Sequence, residues 1–362
     1  MKGFDPKFRN FPHYILGITK EIWEERKIAK LNDYYANDIV VRSPASVVIG
    51  NDNVIAATMA TLAEFPDRTL LGEDVIWCTA EGEGMLSSHR LMSTATHTYH
   101  GLYGAPSGKY LQYRIIADCH ATNNKIDDEW LIRDQGAIVR QLGLDPKDYA
   151  SNLIEREGGP KKCIKPYTPA NDTVGPYLGK GNTNIWGQRL ASTIEKIMHY
   201  ELDTIFNEYD RSAQLEYPGG ITTRSFKGAD SFWTGLRSSF PNAKFRVHHV
   251  IGRDDKNMPP RAAVRWSLHG KHDGFGAFSE PTGWLTERSK SIMFSMKRPT
   301  NCSTRRHVFV ITTNNMVNSK FCIWEARSET SPKTICSFKT ASSNASWIFQ
   351  LSRAIVFIKY SI

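Results

Sequence analysis

Apolar residues recur at helical spacing in two places far apart in the chain. In YILGITKEIWEERKIAKLNDYYA, Ile15, Ile18, Ile22 and Trp23 mark one stripe, as an amphipathic helix requires. ASTIEKIMHYELDTIFNEYD, which ends at Asp210, reads the same way. A shorter helical pattern follows each, NVIAATMATLAEF and GADSFWTGLRSSF, and both stop before a proline, where helices tend to end. The period then changes. RTLLGEDVIWC, SSHRLMSTATHTYHG, KYLQYRIIADCHA and KIDDEWLIRDQGAIVRQL alternate or are rich in β-formers. Between the last two, Asn123 and Asn124 tolerate the left-handed backbone of a hairpin turn. Helices followed by a strand meander predict an α+β fold, a curved antiparallel sheet folded over helices.

The two helical openings belong to a longer repetition. A shift of 175 residues brings EFPD (64–67) onto SFPN (239–242) and Val75-Ile76 onto Val250-Ile251. Without a gap the same shift sets Arg90 on Arg265, His97 on His272, Gly101 on Gly276, Pro106 on Pro281 and Gly108 on Gly283. One register over so much chain implies two copies of one domain. The organisation predicted is a first copy over 1–150, a Gly- and Pro-rich linker over 151–187, a second copy over 188–283 and a tail over 284–362. Beyond Gly283 the match stops, and the tail is rich in Ser, Thr, Asn and Lys with no aspartate. A frame change, a spliced-on terminus or rapid divergence would each give that break. The second copy is therefore expected to be truncated or divergent, with HVFVITT able to supply one missing strand, and the tail to be poorly ordered or poorly packed.

Charge changes the picture only at that end. The net charge is +9, but residues 284–362 hold 12 Lys and Arg against 3 Asp and Glu, which leaves 34 of each in 1–283. A neutral body gives no electrostatic footprint for nucleic acid. No run reaches the ~20 apolar residues of a membrane helix, and MKGFDPKFRN lacks an export signal's apolar region. The six cysteines have no regular spacing, which fits free thiols and a cytoplasmic protein. No serine-hydrolase elbow, Walker loop or dinucleotide fingerprint is present. His97-x-x-His100 and His269-x-x-His272 invite a metal, yet on a strand residues three apart face opposite sides, so no metal site is expected.

Two segments carry a family resemblance. HDGFGAFSEPTG (272–283), and more loosely HTYHGLYGAPSG (97–108), resemble the His-x-Gly and Pro-Thr-Gly segment of SnoaL-like polyketide cyclases, within the nuclear-transport-factor-2-like superfamily. NKIDDEWLIRDQGAIVRQLG resembles that family's closing signature. The resemblance covers most of 13–150 and 188–283 and implies cone-shaped α+β barrels around an apolar pocket, often paired as dimers. It further implies aldol-type ring closure of a small organic molecule by an acid/base aspartate, with no metal or cofactor. Trp130 matches the signature's tryptophan, Leu131 stands where the catalytic aspartate is expected, and Asp134 matches a later acidic position.

Such chemistry needs a base for a proton beside a carbonyl and an acid for the resulting oxygen, and a carboxylate serves near neutrality only if burial raises its pKa. On an ideal strand Ile126, Asp128, Trp130, Ile132 and Asp134 share one face, and Asp127, Glu129, Leu131 and Arg133 the other. If the family's orientation holds, the Leu131 face lines the pocket; a bulge or slipped register would turn Asp134 inward instead. A three-residue turn would set Asp118 and His120 on the side of Asp134, and a two-residue turn would not. The candidates for proton transfer are therefore Asp134 or Glu129 with His97. Candidates to orient a ligand are Asp118, His120, Trp130, Arg133 and Leu131, with Trp77 and Tyr99 added. Duller readings stand beside them: a solvated strand face for Glu129 and Arg133, a turn acid for Asp134, a structural hydrogen bond for His97 and core packing for Trp77 and Trp130. The functional expectation is a cofactor-free cyclase, isomerase or hydratase acting on an apolar molecule. A non-catalytic ligand-binding or scaffold module, paired within the chain or as a homodimer, is the alternative.

Overall fold

The computed structural model describes residues 1–80, 84–159, 161–164, 167, 172–256, 258–278 and 280–281, together with the backbone of strands 291–294, 307–311 and 356–360. Helix α1 (Phe11–Thr19) starts at Asn10, whose side chain accepts from the His13 N–H, and runs on as a π-helical turn over Lys20–Glu24. Its stripe of Phe11, Tyr14, Ile15, Ile18 and Ile22 is buried. After a short helix α2 (Leu31–Tyr34), β1 (Tyr35–Arg42), β2 (Val47–Ile49) and α3 (Asn51–Glu64) precede four long strands, β3 (Thr69–Thr79), β4 (Met85–Thr96), β5 (Tyr110–Thr122) and β6 (Lys125–Arg133). The strands form one curved sheet in the order β2-β1-β6-β5-β4-β3, in which β1 and β6 run parallel and the other pairs antiparallel. Helices α4 (Gln135–Gln141) and α5 (Pro146–Arg156) close this half.

The β5–β6 hairpin turns on two residues, Asn123 and Asn124, both at positive φ (48° and 66°), as a tight hairpin requires. A bulge follows: His120 pairs with Asp128 and Ala121 with Ile126, so one strand carries an extra residue. The bulge corrects the ideal alternation, since Asp127 and Asp128 now lie on the same side and Ile126 joins Glu129 in facing α1. It also places Asp118 opposite Trp130, on one side of the sheet with His120, as only a three-residue turn was expected to do.

The second half repeats the element order. Helix α6 (Ile185–Met198), α7 (Asp203–Glu208), β7 (Gln214–Tyr217), β8 (Ile221–Arg224), α8 (Ser225–Ser239), β9 (Lys244–Arg253) and β10 (Arg261–His269) follow in turn. Pairing repeats too. His89 faces Val75 and Val264 faces Val250; Leu91 faces Gly72 across a bulge, and Trp266 faces Val247 across another. Three tail strands, β11 (Ser291–Phe294), β12 (His307–Ile311) and β13 (Val356–Tyr360), join this sheet, with β12 parallel to β7 and β13 between β12 and β10. The second sheet thus holds tail strands where the sequence suggested missing ones, HVFVI among them. The poor order expected of the rest of the tail falls outside the described residues.

Each face of the first sheet has its own core. Toward α1, Phe11, Tyr14, Ile18, Val75, Ala117 and Ile126 pack in one cluster. On the other face Ile76, Leu86, Ile116 and Ile132 pack in a single cluster with Ile194, Trp233, Ile251 and Trp266 of the second half. Buried ion pairing reinforces that contact, with Arg261 on Asp74 at 2.5 Å. Among the described residues no helix is long and apolar enough to cross a membrane.

Candidate functional site

Strand alternation sends alternate side chains of β4, β5 and β6 toward α1. The register then aligns Trp77, Ser87, Cys119, Glu129 and Val41 in one row across the sheet, and Val75, His89, Ala117 and Leu131 in the next. Ser87, His89, Cys119 and Glu129 are all buried, whereas Trp77, Leu131 and Arg133 on the same face keep partial exposure. Leu131 and Trp23 touch both apolar clusters of this face, the one under α1 and a second around Tyr103, Tyr113 and Leu142.

Burial sets the electrostatics. It pushes the Glu129 carboxyl up to about 7, against the Tyr35 hydroxyl, which donates a hydrogen bond to it, and the more distant Arg133 charge. A carboxyl in that range can both take and return a proton near neutrality. Burial likewise drives His89 down to about 4, so its ring is neutral, with Nδ1 at 3.2 Å from Ser87 Oγ. Cys119 is held well above the ordinary thiol range by burial and by Glu129, which keeps it protonated. Four residues along β6 from Glu129, roughly 13 Å on an extended strand, Arg133 approaches a second polar group. There Arg68 Nε donates to the Tyr113 hydroxyl at 3.2 Å. Burial alone would raise this phenol, but Arg68 and Arg133 bring it below its ordinary value. Arg133 Nε is buried and has no hydrogen-bond partner among the described residues. A proton acceptor and a cationic, phenolic anchor thus flank Leu131 on one face.

Helices packed on a curved sheet are the α+β arrangement the sequence resemblance implied, while the parallel β1–β6 pair departs from the all-antiparallel sheet that was expected. Residues 13–142 match the SnoaL-like polyketide cyclase family. No curated protein matches the chain. Similar solved structures include IdmH of Streptomyces antibioticus (20% identity, 36% of this chain and 96% of that one, TM-score 0.32). TsrD of Streptomyces laurentii has 17% identity over 37% of this chain and 98% of its own, TM-score 0.32. A SnoaL-like polyketide cyclase of Agrobacterium tumefaciens has 16% identity, 36% and 97% coverage, and a TM-score of 0.29.

Within residues 13–142 the sequence candidates separate into groups. Glu129, Leu131, Arg133 and Trp77 lie on the α1 side, and the Arg253 guanidinium sits 3.7 Å above the Trp77 ring. Asp118, His120 and Trp130, ligand-orienting candidates in the sequence, point the opposite way, toward the second half. Asp118 lies 3.7 Å from Arg265, His120 stacks on Tyr177 with ring centroids 4.8 Å apart, and Trp130 is held between Arg42 and Arg265 at 4.3 and 4.4 Å. The physical reason is the second sheet, whose outer face covers theirs.

Asp134, a proton-transfer candidate in the sequence, is bonded to backbone donors in the structure. It caps α4 by accepting from the Ala137 N–H at 2.9 Å and takes the N–H groups of Gly219 and Gly220 at 3.0 Å each. The two glycines reach it at positive φ (83° and 70°), a backbone state that suits glycine. A carboxylate so fully bonded is a clamp between the halves. His97 is likewise held within its own loop: Nδ1 lies 3.1 Å from Ser107 Oγ and Nε2 3.2 Å from Glu64 Oε1, and Glu64 also accepts from Leu102 and Tyr103 N–H groups. It ties down the 97–108 loop. Tyr99, 59% exposed, lies outside the buried face. The residues sequence reasoning passed over are Tyr35, Ser87, His89, Arg68 and Tyr113. The alternation of MLSSHRL held a signal for two of them, since it places Ser87, His89 and Leu91 on one face.

Proposed function

We propose that the SnoaL-like domain binds a small apolar organic molecule in a cone-shaped pocket on the α1 side of its sheet and performs cofactor-free acid/base chemistry on it. Glu129 is the base. It removes a proton from carbon beside a carbonyl, the electron pair passing to that carbonyl's own oxygen and the proton staying on Glu129 until it is returned, while Arg133 with Tyr113 binds a polar group at the far end of the molecule. Aldol-type cyclisation and isomerisation share that first step. One observation carries the reading: a buried carboxyl pushed to about 7, two residues from Leu131, on the face where Trp77, Leu131 and Arg133 keep partial exposure. Glu129 stands in for the aspartate that the family resemblance would put at 131.

The second half is read as a second copy of the same domain, supported by the shared element order and by strand pairs and bulges offset by 175 residues. The pair imitates a dimer within one chain. The test is deuterium exchange. A panel of 1,3-dicarbonyl compounds is incubated with the protein in D₂O, and label at the activated carbon is followed by mass spectrometry. Incorporation above background for at least one compound, abolished in Glu129→Gln, is expected; incorporation unchanged in that variant removes Glu129 from the mechanism. Leu131 favours a second reading, in which the face holds its ligand without turnover. Saturable binding with no exchange in either protein would select it.

A further inference from the structure

On the opposite side of β6 from Glu129, a cleft of about 540 Å³ opens between the two halves. Trp130 comes from β6, Tyr167 and Tyr177 from the segment joining the halves, and Lys244, Arg246 and Arg265 from β9 and β10. Alternation explains the last group, because Lys244 and Arg246 are two residues apart on one face of β9. Both are exposed and form no ion pair among the described residues. Arg265 is buried, 4.4 Å from the Trp130 ring and 3.7 Å from Asp118. Asp172, the one carboxylate among the described residues of the lining, is already engaged by Arg42 Nε at 2.6 Å and by the Tyr167 hydroxyl. Three cations converge on a concavity with aromatic walls and no uncommitted acid among its described lining residues. Clefts lined by one sign of charge focus their field on a ligand of the other sign.

We propose that this cleft binds a small organic anion with a flat apolar body, its acid group held by Lys244 and Arg246 and its body lying along Tyr177 and the edge of Trp130. Guanidinium and ammonium donors serve carboxylate and phosphate alike, so the headgroup is left to the probes. The site is separate from the acid/base face and does not rest on it.

The full chain is titrated calorimetrically with 2-naphthoate, 2-naphthyl phosphate and the neutral 2-naphthamide. Saturable binding of at least one anion is expected, with naphthamide weaker by about tenfold or more, since charge-assisted bonds are the stronger ones. The tighter of the two anions identifies the headgroup. Lys244→Glu with Arg246→Glu should weaken the anion by a similar factor with an unchanged melting temperature, and Arg246→Gln alone should weaken it less. Glu129→Gln should leave this binding intact, which separates the cleft from the α1 side. Equal affinity for naphthoate and naphthamide, full affinity in the double variant, or no saturable binding of either anion would overturn the assignment.

Discussion

Glu129→Gln tests the buried carboxyl directly through stability, without knowledge of a substrate. The folded protein pushes this group from an ordinary 4.5 to about 7, and each pKa unit corresponds to about 1.4 kcal/mol. The difference amounts to about 3 kcal/mol of preference for the protonated form. The sign follows from which state holds the proton. Between the two values the folded chain keeps a proton that the unfolded chain has released, so the contribution is fully present below pH 4.5 and is lost as pH rises through 7. Glutamine has nearly the same shape, its carbonyl can accept from the Tyr35 hydroxyl, and it cannot ionise. Urea unfolding of both proteins from pH 4 to 8.5 should therefore give nearly equal stabilities at the acid end. At the alkaline end the variant should gain about 3 kcal/mol over the parent. Every other titrating group is common to both proteins and cancels in the difference. A difference that stays flat within about 0.5 kcal/mol, a typical effect of an exposed substitution, would refute the buried, near-neutral Glu129.

His89, driven down to about 4 by burial, gives the opposite slope. Its contribution is present above pH 6.5 and is lost as pH falls through 4, so His89→Leu should remove about 3 kcal/mol of acid sensitivity in the same unfolding series. Asp134→Ala removes a helix cap and leaves the Gly219 and Gly220 N–H groups without their acceptor. A loss of about 2–4 kcal/mol is expected from those two effects, read by thermal or urea unfolding, and a change within 0.5 kcal/mol would discard the clamp.

The fold class was legible because it rests on local periods. The stripe Ile15, Ile18, Ile22 is a helix whatever surrounds it, and the Asn123-Asn124 turn announces its own backbone. The direction of each β6 side chain was less so, because two adjacent acids, Asp127 and Asp128, conceal a bulge that no alternation rule marks. Glu129 survived as a candidate since its face follows from the same strand as Leu131. The surroundings of Asp134, Asp118 and His120 were illegible for a different reason. Their partners, Gly219, Arg265 and Tyr177, lie 57–147 positions away in sequence, in the second half or the segment before it, and a short polar residue shows nothing of whether it will meet a ligand or a distant part of its own chain. His97 recurred as His272, yet recurrence alone does not mark a residue for proton transfer, since His97 lies against Glu64 and Ser107.

The 175-residue offset supplies a comparison within the chain for the site itself. Shifted by 175 residues, Ser87 becomes Ala262 and His89 becomes Val264, and both replacements are buried in the structure. Trp266, at the position of Leu91, is fully buried beside Trp233, their ring centroids 6.0 Å apart. The same strand pairing is therefore lined by polar, titratable groups in the first half and by packed apolar ones in the second. Buried polar side chains cost stability unless they are bonded, so a sheet that served only to hold two halves together would be expected to carry the cheaper lining twice. The outer faces do the holding, through Asp134 on Gly219 and Gly220 and through Arg261 on Asp74. That division leaves the α1 side of the first sheet as the place where Ser87 and His89 stand against the apolar Ala262 and Val264.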